Sequence, residues 1–500
     1  MNRDTLRFTL ERVGHTNRAY NDAESQVVTA ALSDAEASVQ HLEEVALDRQ
    51  LRRKEAAQLA KLTAEIERYK VALAPVKTLS LELLHQIFQW CGSLEVPLDT
   101  TARPINTLPV IALTQVCSAW RHIVLNTPVL WCVVHLGVLR GDGLRAVGLA
   151  RKWLSRAGSL PRSLTVNNPF ALDDQDIFRF PFRKLDVMMC YYNIDVLAGI
   201  PPRFLVPLEE LFINSQYCVR HRPFSFSASS RLVVLHLGND VLLDNKRFRK
   251  LLSVQTLREL VISRPITASQ CLGILRQLDR IEIFSLALKW PQSNVVPWDG
   301  GDVIAPNLSR LVLCSRRVVT AATVLGRLSA PSLVSLSLGR KGNGYCKISI
   351  SNFRSWAQHS GFELKELSLH IYPRNLSPSF LDEIHLCTPS LQHLVITSSP
   401  EILERTTMLK LGNGKMWPRL QKLTLGKGNI TKVLSMIARR QNMARKRKNT
   451  DNAISSFTHF SCLAAPLSKK DQRRAAQLEG GGLELRLHNR GVFNPHLLLH

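Results

Sequence analysis

The stretch Leu308-Ser309-Arg310-Leu311-Val312-Leu313 decides the fold of this 500-residue chain, because its pattern L-x-x-L-x-[LI] recurs between residues 208 and 425. The first positions of neighbouring copies are 24 to 31 residues apart. The other copies cover residues 208–213, 232–237, 257–262, 281–286 (a weaker copy), 333–338, 364–369, 391–396 and 420–425. Successive side chains of a strand point to opposite faces, so each copy predicts a short strand with its leucines on one buried face.

The segments between the copies favour helices, because their apolar residues have helical spacing. They are Phe248 to Val254, Cys271 to Leu278, Val324 to Leu328, Phe353 to Ala357 and Phe380 to Leu386. One strand and one helix cannot bury their own apolar faces, so neighbouring units must stack on one another. A period of this length is typical of leucine-rich repeats, and it predicts an α/β solenoid over residues 161–500.

The residues that alternate with the leucines in each strand are expected to line the concave sheet of the solenoid. They are Glu210, Phe212, His236, Glu259, Arg310, Ser335, Glu366, His393 and Lys422. Any one of them is more often simply solvated, so the prediction concerns the face as a whole. We expect this face to bind a target protein.

Residues 439–480 predict a polar, basic insertion in the repeat region. Its cationic runs are Arg439-Arg440, Arg445-Lys446-Arg447-Lys448, Lys469-Lys470 and Arg473-Arg474. Two interpretations stay open. The runs form a nuclear import signal or a patch for an acidic partner, or they belong to a solvated, disordered loop.

The N-terminal segment predicts one helix. Residues 1–37 show no clear period and form an N-terminal extension, whereas residues 38–75 are rich in helix formers and lack Gly as far as Pro75. An apolar stripe follows one side of this helix at Leu59, Leu62, Ile66, Tyr69 and Leu73. The stripe is explained equally by a helix lying on its own domain and by a short coiled coil that forms a dimer.

Residues 76–135 predict a small helical unit. A first apolar helix runs over residues 79–91 with Ser80 as its N-cap. A second runs over residues 111–123, and Pro128 interrupts the chain before Leu130 and Trp131. Residues 136–160 form a connecting helix or linker.

The order of these motifs resembles the F-box of many fungal proteins, from about Val76 to Trp131. An LPxEIL-like helix ends in Ile87-Phe88, and V-C-x-x-W-R and T-P-x-L-W follow at residues 116–121 and 127–131. One departure is Ser80, which stands where the family has proline. The resemblance implies an α/β architecture with an N-terminal helix or short coiled coil, a small all-α F-box and the leucine-rich-repeat solenoid.

The resemblance also implies a function. The chain would be a substrate-recognition adaptor of an SCF-type cullin–RING ubiquitin ligase, acting in ubiquitin-dependent degradation and binding the ligase adaptor subunit and its cullin. By motif match, the adaptor-binding residues would be Leu79, Leu84, Ile87, Phe88, Val116, Trp120, Leu130 and Trp131. Some of them must form the core of the F-box instead, Trp120 first. The alternative is a leucine-rich-repeat scaffold that is not coupled to ubiquitination.

Composition disfavours several other classes of protein. The net charge of +25 is spread mostly as single residues, and no nucleic-acid-binding module is visible, so nucleic acid is not the expected partner. Neither an H-E-x-x-H motif nor a zinc-like cysteine–histidine spacing occurs, so we expect no enzyme, cofactor or metal. The ten scattered cysteines and the lack of a long apolar run predict a cytoplasmic or nuclear protein without membrane spans.

Overall fold

A computed structural model describes residues 20–92, 109–136, 143–167, 175–190, 200, 202–216, 231–238, 255–289, 300–315, 321–339, 350–370, 380–397, 405–426, 429–446, 454–463 and 467–488. The chain is mixed α/β and contains a large parallel sheet. It divides into two compact units, Met1–Ser163 and Leu164–His500. The predicted helix over residues 248–254 lies outside the described residues.

The first unit is mainly helical. Its helices are α1 (Asp22–Asp48), α2 (Arg53–Ala72), α3 (Leu81–Gly92), α4 (Pro109–Val116), α5 (Ser118–Leu125) and α6 (Gly143–Ser155). Short 3-10 turns occur at Pro75–Thr78 and Pro128–Trp131, strand β1 covers Val133–Leu136, and β2 (Arg162–Asn167) begins at the end of the unit.

The helix predicted over residues 38–75 is instead two helices, α1 and α2, which pack against each other as a hairpin. Val28 and Ala72 are buried together, and Lys70 Nζ lies 3.3 Å from a carboxylate oxygen of Glu36. Ile66, the centre of the apolar stripe, is also buried. Tyr69 and Leu73 pack against Val28 and Ala72, so this part of the stripe lies inside the hairpin.

The second unit alternates strands with helices. Its strands are β3 (Phe182–Cys190), β4 (Glu210–Gln216), β5 (Val234–Leu237), β6 (Glu259–Ile266), β7 (Ile283–Leu288), β8 (Val303–Ile304), β9 (Arg310–Ser315), β10 (Leu328–Ser329), β11 (Ser335–Gly339), β12 (Glu366–Leu369), β13 (His393–Ile396), β14 (Lys422–Leu425), β15 (His459–Leu463) and β16 (Glu484–His488). Its helices are α7 (Pro202–Leu205), α8 (Ala268–Leu275), α9 (Ala321–Leu325), α10 (Ile350–Ser360), α11 (Phe380–Cys387), α12 (Arg405–Gly412), α13 (Ile430–Lys446) and α14 (Lys469–Gly480), with a 3-10 turn at Gln175–Phe178.

From β3 to β7, and from β9 through β11 to β16, each strand pairs in parallel with its neighbours, whereas β8 and β10 form a separate parallel pair. The register places equivalent leucines side by side, for example Leu336 between Leu311 and Leu367. The leucines predicted to point inward are all buried, namely Leu311, Leu336, Leu367, Leu394 and Leu423. This confirms the strand register that the repeating pattern predicts.

The predicted polar insertion over residues 439–480 is wrong for the described residues. The segment contributes α13, β15 and α14 to the same strand–helix alternation. Phe457, Phe460 and Cys462 are buried at the positions that leucines occupy in the earlier copies. Two phenylalanines and a cysteine occupy the leucine positions, so the pattern was not visible.

Arg440 is buried although it was predicted to lie on a solvated basic run. Its guanidinium donates hydrogen bonds of 2.7 to 3.5 Å to the main-chain oxygens of Leu411, Met416, Trp417, Pro418, Leu420 and Ser455. Burial lowers the pKa of Arg440 to about 10. The residue therefore joins α13 to the end of α12, to the loop before β14 and to the segment that precedes β15. Arg445 and Lys446 are exposed on α13, whereas Arg447 and Lys448 lie outside the described residues.

Candidate functional site

The first candidate site is helix α3 of the first unit. The hydroxyl of Ser80 accepts a hydrogen bond of 3.3 Å from the amide of Leu83, so the predicted N-cap is present. Leu84 and Phe88, one turn apart, are buried. The ring of Phe88 packs edge-on against Trp120 at 4.9 Å between centroids.

Half of the eight predicted adaptor-binding residues lie in the core of this unit. Leu84, Phe88, Leu130 and Trp131 are buried, so their side chains cannot contact a partner in this conformation. Trp131 is fully buried, whereas Trp120, the residue expected first in the core, is half-buried. The indole Nε1 of Trp131 donates to the main-chain oxygen of Val124 at 3.0 Å, and its ring lies 4.6 Å from that of Trp153.

The other four predicted residues remain accessible. Leu79 and Trp120 are half-buried, whereas Ile87 and Val116 have exposed fractions of 44% and 57%. Sequence reasoning missed two neighbours of Ile87 on α3. Leu83 is 48% exposed and Trp90 is 81% exposed.

Leu83, Ile87 and Trp90 are spaced by four and three residues, so they share one side of α3. We call these three residues the α3 stripe. The signal for it was present in the sequence, because α3 has apolar residues around most of its circumference and only one side can face its own core.

The second candidate site is the face of the large sheet on the side away from the buried leucines, which we call the open face. All nine residues predicted for a target-binding surface lie there, and each is half-buried or exposed. At its first strands, Lys184 Nζ lies 3.2 Å from Glu210 and 4.9 Å from the ring centre of Phe212. His236 hydrogen-bonds Glu259 at 2.7 Å. Charges in this part of the face are therefore paired with each other.

The last strands of the open face are richer in histidine. His393 has a lowered pKa, first because it is partly buried and further because of the nearby Lys422 and His459; Glu366 opposes this shift. His459 lies 2.6 Å from Glu484 of β16. Lys184, His459 and Glu484 were missed, because their strands do not match the leucine pattern.

From β11 to β15 a second row of side chains on this face is mostly short and polar, with Val395 between Ser368 and Thr424. Ser337, Ser368, Thr424 and Ser461 lie two residues beyond the first row and are buried by their neighbours. This part of the face therefore combines charged groups along one row with mostly small hydroxyl groups along the next. It can offer hydrogen bonds and ion pairs to an extended or irregular protein surface.

The described residues contain no group of three His, Cys, Asp or Glu side chains placed to hold a metal ion. In that part of the chain, none of the helices combines the length and the apolar character that crossing a membrane requires. Burial raises the pKa of the Cys462 thiol to about 12 and raises that of Cys271 as well, so both thiols stay protonated at neutral pH.

No protein-family profile matches this chain, and no curated protein is similar to it at a significant level.

Proposed function

We propose that the chain is a substrate-recognition adaptor of an SCF-type cullin–RING ubiquitin ligase. In this proposal an F-box binds the adaptor subunit of the ligase, and a leucine-rich-repeat solenoid binds a target protein. The observation that carries the proposal is the α3 stripe, an exposed apolar surface on the first helix of the F-box-like segment.

The α3 stripe supports docking because exposed apolar side chains that cluster on one surface commonly mark interaction sites. The same helix fixes its own position through Leu84 and Phe88, which pack inward. Ser80 caps the helix although the family has proline there, so the departure from the motif preserves the helix start. Ile87 and Val116 are the predicted docking residues that this arrangement favours, with Leu83 and Trp90 added.

The open face supports the second half of the proposal. Parallel strands in register, each followed by a return segment, are the arrangement expected of a leucine-rich-repeat solenoid, and its sheet face would hold the target. The mechanism is proximity, since the ligase would transfer ubiquitin to a target held close to it. The chain itself would contribute no catalytic group.

The test measures binding of the purified ligase adaptor subunit to the full chain. Replacing Ile87 and Trp90 together by Asp should weaken binding by about a hundredfold or more, because interface energy concentrates in a few apolar anchors. Leu47→Asp is the matched control, since Leu47 is an exposed leucine on α1, and it should bind like the wild type. Leu84→Ala is unsuitable, because it removes a buried side chain.

Circular dichroism must first show that each variant has the helix content of the wild type. If the folded wild type does not bind the adaptor subunit, the proposal fails. The alternative, a leucine-rich-repeat scaffold that is not coupled to ubiquitination, then replaces it.

A further inference from the structure

Helices α12 and α13 of the second unit enclose a groove that neither the α3 stripe nor the open face includes. Its volume is about 340 Å³. Met408 and Leu409 from α12 and Met436 from α13 form an apolar floor. Arg405, Lys432 and Arg439 line its rim.

The rim cations form no ion pair within the described part of the chain, although one carboxylate, that of Asp471, lies beside the groove and accepts a hydrogen bond of 2.9 Å from the hydroxyl of Thr431. Neither α12 nor α13 contains an acidic residue. Arg405, Lys432 and Arg439 are exposed, and no carboxylate of the described residues forms an ion pair with them. By contrast, Lys410 on α12 pairs with Asp382 at 2.8 Å.

The cations lie at both ends of the apolar floor. A Cβ atom added at Gly412, the last residue of α12, would lie 3.3 Å from Cδ of Arg439, so Arg439 is beside that end. Arg405 is the first residue of α12 and therefore lies at the other end. Lys432 precedes Arg439 by two helical turns, which is about 10 Å along α13.

We propose that this groove binds an acidic amphipathic helix of a partner protein. One or two large apolar side chains of that helix would enter between Met408, Leu409 and Met436. Carboxylates about seven residues apart would meet Arg439 at one end and Lys432 with Arg405 at the other, with the apolar anchors three and four residues after the first carboxylate. Methionine side chains adapt readily to such anchors.

The shape of the floor favours a peptide helix over two other anionic ligands. A membrane surface would require several apolar side chains that protrude into it, whereas Met436 is buried, Met408 is half-buried and of the three floor residues only Leu409 is exposed, at 40%. A nucleic-acid backbone would satisfy the cations and leave the apolar floor unused. The proposal does not depend on ligase binding, which involves other residues.

The test uses the full chain and a fluorescein-labelled peptide of about 20 residues, long enough to form a helix. The core of this peptide is Glu-Ala-Ala-Leu-Leu-Ala-Ala-Glu within an Ala- and Gln-rich helix. One twin has Gln for both Glu residues, and a second has Ala for both Leu residues. Fluorescence anisotropy at about 0.15 M salt should give at least about tenfold tighter binding of the first peptide than of either twin.

Charge reversal locates the site. Lys432→Glu with Arg439→Glu should weaken binding of the first peptide by about tenfold or more, whereas Lys446→Glu should change it by less than about twofold. Lys446 is the matched control, because it is an exposed cation on α13 outside the groove. If the double reversal disturbs the circular dichroism spectrum, the milder Lys432→Gln with Arg439→Gln takes its place.

The proposal is overturned if the acidic peptide binds no tighter than its Gln twin, or if Lys446→Glu weakens it as much as the double reversal. It is also overturned if phosphatidylserine vesicles or single-stranded DNA bind in a groove-dependent way and the peptide does not. The same variants should bind the ligase adaptor subunit as tightly as the wild type does. Loss of peptide binding and loss of adaptor binding are therefore separate results, and each tests a different proposal.

Discussion

Arg440 shows how one charged side chain can be buried without a carboxylate partner among the described residues. Six main-chain oxygens take the place of a counter-ion. Replacing Arg440 by Ala should lower the free energy of unfolding by at least about 3 kcal/mol, because buried acceptors would lose their donors and a cavity would form.

Urea unfolding followed by circular dichroism measures this loss. Arg440→Lys should also be destabilising, because an ammonium group has three donors and cannot reach so many oxygens. The neighbouring Arg439→Ala is the control, since Arg439 is exposed and its loss should cost within about 0.5 kcal/mol. Equal effects at residues 439 and 440 would contradict the buried position.

His393 makes stability depend on pH. Its ordinary pKa of 6.5 is lowered in the folded protein, mainly by burial. Well above pH 6.5 the imidazole is neutral in both the folded and the unfolded protein. Below pH 6.5 it is protonated in the unfolded protein, whereas the lowered pKa opposes protonation in the folded protein. The free energy of unfolding should therefore fall as the pH falls below 6.5.

Thermal unfolding between about pH 7.5 and about pH 5 checks this dependence. His393→Gln should flatten the decrease of Tm, because the variant has no proton to take up at that position. His385 also has a pKa lowered by burial, so part of the decrease should remain. The account of His393 is wrong if the two proteins show the same pH profile.

Strand β12 tests the register of the sheet. Leu367 is buried, whereas the side chain of Glu366 is 45% exposed and lies 3.8 Å from Arg310. Leu367→Ala should lower the free energy of unfolding by about 2–5 kcal/mol. Glu366→Ala should change it by about 0.5 kcal/mol or less. Similar losses in urea unfolding would mean that the register is wrong.

The strands could be predicted from sequence because leucines that alternate with other residues, in copies at nearly constant spacing, are typical of short strands stacked in one sheet. The predicted inward leucines and the outward face followed from that alternation. Strand β15 could not be predicted, because Phe457 and Phe460 fill the leucine positions. The copy at residues 281–286 was still visible with Phe284 at one leucine position, whereas the copy that includes β15 has phenylalanine at two leucine positions and cysteine at the third.

Helix α3 marks the limit of prediction for the candidate site. Apolar residues occur on most sides of this helix, so the sequence pattern predicted a helix without showing which side faces the core. The contacts of Leu84 and Phe88 with the rest of the unit settle this, and they depend on tertiary packing. The α3 stripe is the side of this helix that remains exposed to solvent.

The break between α1 and α2 was also invisible in sequence, because residues 49–52 contain neither Gly nor Pro. Glu55 accepts hydrogen bonds from the Arg49 guanidinium and from the Arg52 amide, the latter at 2.7 Å. These contacts satisfy the first turn of α2, so a new helix can start there. Contacts between charged side chains and the main chain thus produce a helical hairpin where composition predicts one continuous helix.

At the scale of the whole molecule, the net charge of +25 is not one uniform surface property. Arg440 is buried, and so is Arg162, whose guanidinium donates to the main-chain oxygens of Leu154, Gly158 and Leu160. Other cations are paired on the open face. The cations that matter for recognition are the few that are exposed and form no ion pair within the described part of the chain, such as those at the rim of the groove between α12 and α13.

The central claim is that α3 docks on a ligase adaptor subunit while the repeat domain stays available for a target. Amide hydrogen exchange of the full chain, with and without the purified adaptor subunit, tests it most directly. We predict slower exchange in Leu81–Gly92 on binding, unchanged exchange in strands β9 to β14, and no effect in the Ile87→Asp, Trp90→Asp variant. Unchanged exchange in Leu81–Gly92 with saturating adaptor subunit, or equal protection in the variant, would contradict the claim.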